Sequence, residues 1–232
     1  MILSHEHRFI FLKTRKTAGT SIELALSQIC GEKDILTRVS PRDEAMRESL
    51  PGPNAQNWLA PGMRINRPER ILGRLLGQHT RGRGYFNHVP AREVLRLTGP
   101  RIWRSYFKIS VERNPWDRQV SLYYWRYPDA DKRPTFETFI TSPRWRKKVD
   151  NFAIYSLAGR PAVDFVIRYE QLQDDLAEVF HRLGIQDPPA LPATKSGTRT
   201  DRGDYRDHYT DKTRDIVAGW YRDEIAAFGY RF

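Results

Sequence analysis

The sequence predicts an α/β fold: a single domain built on a doubly wound, mostly parallel sheet flanked by helices. Three observations lead there. Short apolar runs alternate with stretches of helical periodicity along most of the 232 residues. Two strand-to-helix junctions, Lys13–Ser21 and Arg113–Ser121, are rich in basic and hydroxyl side chains, and sheets of this kind bind ligands at the carboxyl ends of their strands. No internal repeat or low-complexity linker divides the chain, whose length suits one domain over residues 1–232.

The elements follow in order. Arg8–Leu12 (RFIFL) is apolar and partly β-branched or aromatic, as a buried strand is. His5 and His7 just before it alternate like strand neighbours. After a polar loop, Ile22, Ala25, Leu26 and Ile29 recur at i, i+3, i+4 and i+7, so Thr20–Cys30 reads as a helix. Gly31–Gly84 is broken by Pro41, Pro51, Pro53 and Pro61 into loops and short helices. Ala91–Leu97 is a helix that stops near Gly99-Pro100, and Tyr106–Val111 (YFKISV) is a second strand. Asn114 is placed to cap the next helix, with Pro115 at its first position and Asp117 in its first turn. Asp164–Arg168 (DFVIR) is a third strand, and Asp174–Leu183 is a helix ended by Gly184. Leu191–Tyr205 is a polar loop. Thr210 caps a last helix that turns Ile216, Val217, Trp220 and Ile225 to the core.

Charge narrows the partners. The net charge is +11, and ten arginines from Arg64 to Arg104 face only Glu69 and Glu93. Such a surface concentrates anions: nucleotide phosphates, acidic glycans, anionic lipid or nucleic acid. No stretch reaches the roughly 18 consecutive apolar residues of a membrane span. The start of the chain lacks the layout of a secretion signal, and its single cysteine, Cys30, excludes an internal disulfide. A cytoplasmic location follows as the expectation.

The first junction reads KTRKTAGTS. A helix start there leaves backbone N–H groups unpaired at the positive end of the helix dipole. Gly19 relieves crowding where backbone approaches a ligand, and Lys16, Thr17, Thr20 and Ser21 add a cation and three hydroxyls. The loop is P-loop-like without being a Walker A motif, in which the lysine follows the second glycine. In the second junction, ERNPWDRQVS, a loop arginine (Arg113) and a helix hydroxyl (Ser121) are spaced to converge on one phosphate. Arg113 paired with Glu112 or Asp117 is the plain structural alternative.

Together, KTAGTS and RNPWDRxxS resemble the sulfotransferase family that uses 3′-phosphoadenosine-5′-phosphosulfate (PAPS), closest to its carbohydrate-type branch in bacteria. FNHVPAREV, FVIRYEQL and the ending EIAAFGYRF extend the likeness, while Gly31–Gly77 departs from it. The resemblance implies an enzyme that moves a sulfuryl group from PAPS to an acceptor hydroxyl and releases adenosine 3′,5′-bisphosphate (PAP), with no metal. It implies that Arg15, Lys16, Thr17, Ala18, Gly19, Thr20 and Ser21 form the 5′-phosphosulfate loop, with Lys16 catalytic. It implies that Arg113 and Ser121 clamp the 3′-phosphate, and that Lys195, in the loop 191–205, closes over the cofactor. Many relatives carry proline before the lysine where this chain has Arg15, so Lys13 and Arg15 are candidates to share phosphate binding.

Among the six histidines, His88 matches the family's catalytic base, with His79 as runner-up; histidine suits proton removal near neutral pH. Tyr123, Tyr124, Trp125 and Tyr127 are candidates to line an acceptor cleft. Residues 31–84 are expected to form a variable insertion on the acceptor side, and the basic stretch Ala60–Arg104 favours an anionic or polyhydroxylated acceptor, a carbohydrate. Two other readings remain open: a non-enzymatic basic module for nucleic acid or acidic polysaccharide, which leaves the paired loops unexplained, and a nucleotide-dependent phosphotransferase, which lacks its Walker A motif.

Overall fold

Alternation along one short strand sets the layers. The computed structural model describes residues 1–59, 84–143, 149–192 and 203–232. Strand β1 (Ile2–Ser4) turns back into β2 (Phe9–Leu12), followed by α1 (Gly19–Ser27), the short β3 (Ile35–Leu36) and α2 (Pro41–Glu48). On β2, Phe9 and Phe11 point to one face of the sheet, where they pack with Ile22, Ala25 and Leu26 of α1. Ile10 and Leu12 point to the other face. That face is covered by α3 (Ala91–Ser105), through Val94 and Trp103. Helices therefore cover both faces, as a doubly wound sheet requires.

The chain continues through β4 (Phe107–Glu112), α4 (Pro115–Arg126), α5 (Phe136–Thr141), α6 (Phe152–Tyr155), the hairpin β5–β6 (Ser156–Leu157 and Arg160–Pro161) and β7 (Phe165–Arg168). It ends with α7 (Leu172–Arg182), α8 (Asp211–Trp220) and α9 (Arg222–Phe228). The five-stranded sheet has the order β3-β1-β2-β4-β7. Its centre, β2, β4 and β7, is parallel, and β1 pairs antiparallel with both β2 and β3. The chain leaves β2 towards one edge through α1 and returns on its other side at β4. The crevice beyond the carboxyl ends of β2 and β4 is thus a topological switch point, where open α/β sheets bind ligands.

Two local readings are corrected. His5 and His7 sit in the β1–β2 turn rather than in a strand, because the Asp34 carboxylate accepts the backbone N–H groups of His5 at 2.6 Å and Glu6 at 3.2 Å and closes that turn. Gly99 interrupts α3 with φ 76°, as its sequence signals, but helix resumes at Pro100 and runs to Ser105. A third apolar cluster lies beyond the sheet, where Trp116, Val120 and Tyr123 of α4 pack with Phe136 and Phe139 of α5 and with Val217 of α8. No helix among the described residues is long and apolar enough to cross a membrane.

Candidate active site

The first junction springs from β2. Lys13 ends the strand region but turns inward: it is buried, with Nζ 2.8 Å from Glu23 of α1. Arg47 of α2 and the terminal amine reach the same carboxylate, at 3.5 and 2.7 Å. Burial alone would raise the Glu23 carboxyl, but these three cations outweigh it and hold it well below the usual carboxylate range. Lys13 is therefore an internal tie between strand and helix in this structure. The loop is further braced by Thr14, whose hydroxyl donates to the Val111 carbonyl of β4 and lies 2.8 Å from the Thr17 hydroxyl.

Above this base the loop is wound tightly. Lys16 and Ala18 have φ of 63° and 59°, in the left-handed region that costs an L-residue roughly 1–2 kcal/mol. Ala18 is the N-cap of α1 and offers no side-chain acceptor to the first turn. The N–H groups there keep their capacity for an anion. Gly19 is required by the loop itself: a Cβ would come within 3.0 Å of the Lys13 side chain and 3.2 Å of the Thr14 carbonyl. Thr17, Thr20 and Ser21 are buried around that turn, and Arg15 and Lys16 are half-buried at its mouth. The Lys16 ammonium lies 5.3 Å from the ring centroid of Trp125, a half-exposed residue of α4.

The second junction leaves β4, one strand over. Asn114 caps α4 by accepting the Trp116 N–H at 3.0 Å, with Pro115 at the first position. The Arg113 guanidinium is mostly buried, grips Asp117 through Nε and a second nitrogen at 2.7 Å each, and stacks 4.0 Å from the Tyr169 ring centroid. The structure thus shows the plain pairing with Asp117, on a guanidinium placed at the carboxyl end of β4. Ser121 is half-buried two turns along α4, one turn before Trp125.

His88 joins the first junction from the segment before α3. It too has a left-handed φ, 60°, and its Nδ1 is 3.0 Å from the Lys13 carbonyl oxygen. A carbonyl only accepts, so Nδ1 carries the proton and the neutral ring keeps its lone pair on Nε2. Burial foremost, then the Lys13 and Arg15 charges, push its pKa down to about 3, against the smaller opposing effect of the Lys13 carbonyl. Among the described residues, Lys16, Ala18 and His88 are thus three of the six non-glycine residues with positive φ. Backbone strain of this kind concentrates where surrounding structure holds functional groups in place. His79 and Lys195 lie outside the described residues.

Sequence reasoning misses a buried polar group beneath both junctions. Glu112, at the end of β4, meets Arg118 of α4, which also meets Glu224 of α9. The Tyr155 hydroxyl donates to Glu112 at 2.9 Å, and the Phe152 N–H to Glu224 at 3.0 Å. Asn151 adjoins this group and holds the backbone of Arg15. No local pattern marks these residues, since each partner comes from a distant segment.

The sulfotransferase family model matches residues 1–231 of this chain. An uncharacterized protein of Archaeoglobus fulgidus is 33% identical over 102 residues, 42% of this chain and 83% of that protein. Among solved structures, mouse sulfotransferase SULT7A1 complexed with PAP superposes with a TM-score of 0.50 at 14% identity, over 96% of this chain and 86% of that one. Retinol dehydratase, solved with androsterone and PAP, reaches 0.35 at 14% identity over 99% and 84%. The structural likeness establishes the shared α/β fold, and with the family match over nearly every residue, this chain belongs to the sulfotransferase family.

Proposed function

We propose that the chain transfers a sulfuryl group from PAPS to a hydroxyl of a carbohydrate acceptor. One observation carries the proposal: the uncapped N-terminus of α1, wrapped by Arg15–Ser21 at the switch point, lies next to a histidine whose free lone pair is on Nε2. The residues fit the donor. Arg15, Lys16, Thr17, Ala18, Gly19, Thr20 and Ser21 offer N–H groups, a cation and hydroxyls to a phosphosulfate. Arg113 and Ser121 offer a fork and a hydroxyl to the 3′-phosphate, with Arg113 exchanging the Asp117 carboxylate for a phosphate of like geometry. Lys195, outside the described residues, is proposed as a further ligand of the donor.

PAPS supplies the activated sulfuryl group and departs as PAP. Lys16 neutralises charge growing on the bridging oxygen as the sulfur–oxygen bond to the phosphate breaks. His88 Nε2 takes the proton of the acceptor hydroxyl as the new oxygen–sulfur bond forms, while Nδ1–H stays on the Lys13 carbonyl and fixes the ring. Burial is the largest cause of the low His88 pKa, and an anionic donor offsets the smaller contributions of the Lys13, Arg15 and terminal-amine charges. The carbohydrate reading rests on Trp125, whose exposed indole beside Lys16 suits the apolar face of a sugar, and on the exposed Arg92 in the first turn of α3, close in sequence to His88. The buried Cys30 thiol, pushed up by desolvation, suits the reducing interior of a cytoplasmic protein.

Thermal melting with chelator present tests the donor. PAP at about 100 times its dissociation constant should stabilise the fold by about 2.7 kcal/mol, and ATP at equal concentration should not. Stabilisation by ATP alone would move the chain to phosphoryl transfer. Stabilisation only by heparin or oligonucleotide would make it a basic binding module.

A further inference from the structure

Asn151 is fully buried, yet its carboxamide is spent on one residue of the phosphosulfate loop. The Arg15 N–H donates to its Oδ1 at 2.9 Å, and its Nδ2 donates to the Arg15 carbonyl at 3.0 Å. Both polar groups of that backbone residue are thus held by one side chain, as a neighbouring β-strand would hold them. Nδ2 also lies 3.3 Å from Glu112 Oε1, one residue before Arg113. The contact spans 136 positions of sequence and links the loop to the strand end that carries Arg113.

Lys16 follows Arg15 directly and sits at φ 63°, a conformation that must be imposed on it by its neighbours. Thr14 and Thr17 brace the loop through their own contact, and Asn151 fixes the peptide from which Lys16 departs. We propose that Asn151 is a positioning residue: it sets the direction of Lys16 and keeps the 5′ loop in register with the 3′-phosphate clamp. The chemistry singles out asparagine. Aspartate would accept from the Arg15 N–H but not donate to its carbonyl, and it would face Glu112 as a like charge. Glutamine is one methylene too long for a site with no exposed surface.

The inference rests on the PAPS reading above, and the test separates the two. Calorimetry on the intact chain compares PAP, adenosine 3′-monophosphate and adenosine 5′-monophosphate. Loss of affinity on deleting the 5′-phosphate reports the loop, and loss on deleting the 3′-phosphate reports Arg113 and Ser121. In the wild type both losses should be tenfold or more. In Asn151→Ala the 5′ loss should shrink to about threefold or less while the 3′ loss stays within twofold of wild type, and kcat at saturating PAPS should fall at least tenfold. Arg113→Ala should show the mirror pattern. If Asn151→Ala does not fold, Asn151→Ser, which keeps a small polar group, carries the same comparison. Equal shrinkage of both losses, or an unchanged kcat, overturns the positioning role. A wild type indifferent to either phosphate overturns the PAPS reading and this inference with it.

Discussion

Compare the two strand-to-helix junctions. Both leave neighbouring parallel strands at the same end of the sheet, and both put basic residues before a helix. Helix α1 begins at Ala18, which offers no side-chain cap, whereas α4 begins at Asn114, which caps it, with Asp117 in its first turn. In the proposed function the first junction would offer backbone donors to the ligand, whereas the second caps its own helix and would rely on the side chains Arg113 and Ser121. The ion clusters below differ in the same sense. Glu23 is one buried carboxylate between Lys13 and Arg47, joined by the terminal amine, which burial pushes down to about 5, while Arg118 is one buried cation between two carboxyls, Glu112 and Glu224.

The largest expected effect separates the two clusters. Glu23→Gln leaves Lys13 and Arg47 buried without their carboxylate, which should cost about 3–5 kcal/mol. At about 2–4 °C per kcal/mol for a chain of this size, the melting temperature should drop by roughly 6–20 °C. Glu224 differs because burial foremost, with the Glu112 charge, raises its pKa to about 8 despite Arg118. Its ionised form is thus less favoured than that of Glu23, and Glu224→Gln should cost less. The signs with pH are opposite. Glu23 titrates below its unfolded value, so its contribution is present above about pH 4.5 and fades as pH falls. Glu224 titrates above its unfolded value, so stability erodes as pH rises from about 4.5 towards 8. The Glu224→Gln variant should gain on the wild type across that window in melts taken at several pH values. Equal losses in both variants would erase the contrast.

Next is Lys16→Ala, which should keep the melting temperature and lower kcat by about 10²–10³, as loss of one preorganised charge at a leaving oxygen does. His88→Ala should leave PAP affinity unchanged and also collapse kcat. Because His88 in the free protein titrates at about 3, kcat/KM should show no acid limb near the ordinary histidine value of about 6.5. A limb at that value, lost in His88→Ala, would mean that the burial and cations around His88 do not act as the structure implies. Turnover of Lys16→Ala within a few-fold of wild type would pass the role to Arg15.

Strands β2, β4 and β7 are legible because each is an apolar run between polar loops, and the starts of α4 and α8 are legible in Asn114-Pro115 and Thr210. Strand β1 is not, since three residues carry no period, and β5–β6 depends on left-handed Ala158 and Gly159 more than on composition. Within the site, residues that follow one another along the chain, such as Arg15–Ser21, announce themselves by spacing. Asn151, Glu112, Arg118 and Glu224 do not, because buried polar pairing across 106 or 136 positions is decided by tertiary proximity. The inward turn of Lys13 is hidden for the same reason: its partner, Glu23, looks in sequence like an ordinary helix residue.

Arg113→Ala probes the capped junction at intermediate size. A charge-assisted fork is worth about 1.5–3 kcal/mol, so PAP should bind about tenfold to hundredfold more weakly while 5′-AMP binding changes little. Equal weakening of both nucleotides would place Arg113 away from the 3′-phosphate.

Asn114→Ala should give the smallest effect and sharpens the contrast most directly. Its side chain accepts the Trp116 N–H, and its amide donates to the Arg231 carbonyl at 2.9 Å, so the cap also pins the end of the chain against α4. Losing an asparagine cap costs typically about 1 kcal/mol, and the lost tail contact adds to it. The freed N–H groups of α4 would then resemble those of α1, next to Arg113. If the cap exists to keep backbone donors out of nucleotide recognition, the variant should melt a few degrees lower yet hold PAP within about threefold of wild type. Tighter binding of 5′-AMP or inorganic phosphate than in the wild type would show the opened helix acting as a new anion site. PAP affinity falling as far as in Arg113→Ala would instead make Asn114 part of the clamp, and the division between a backbone-reading junction and a side-chain-reading one would fail.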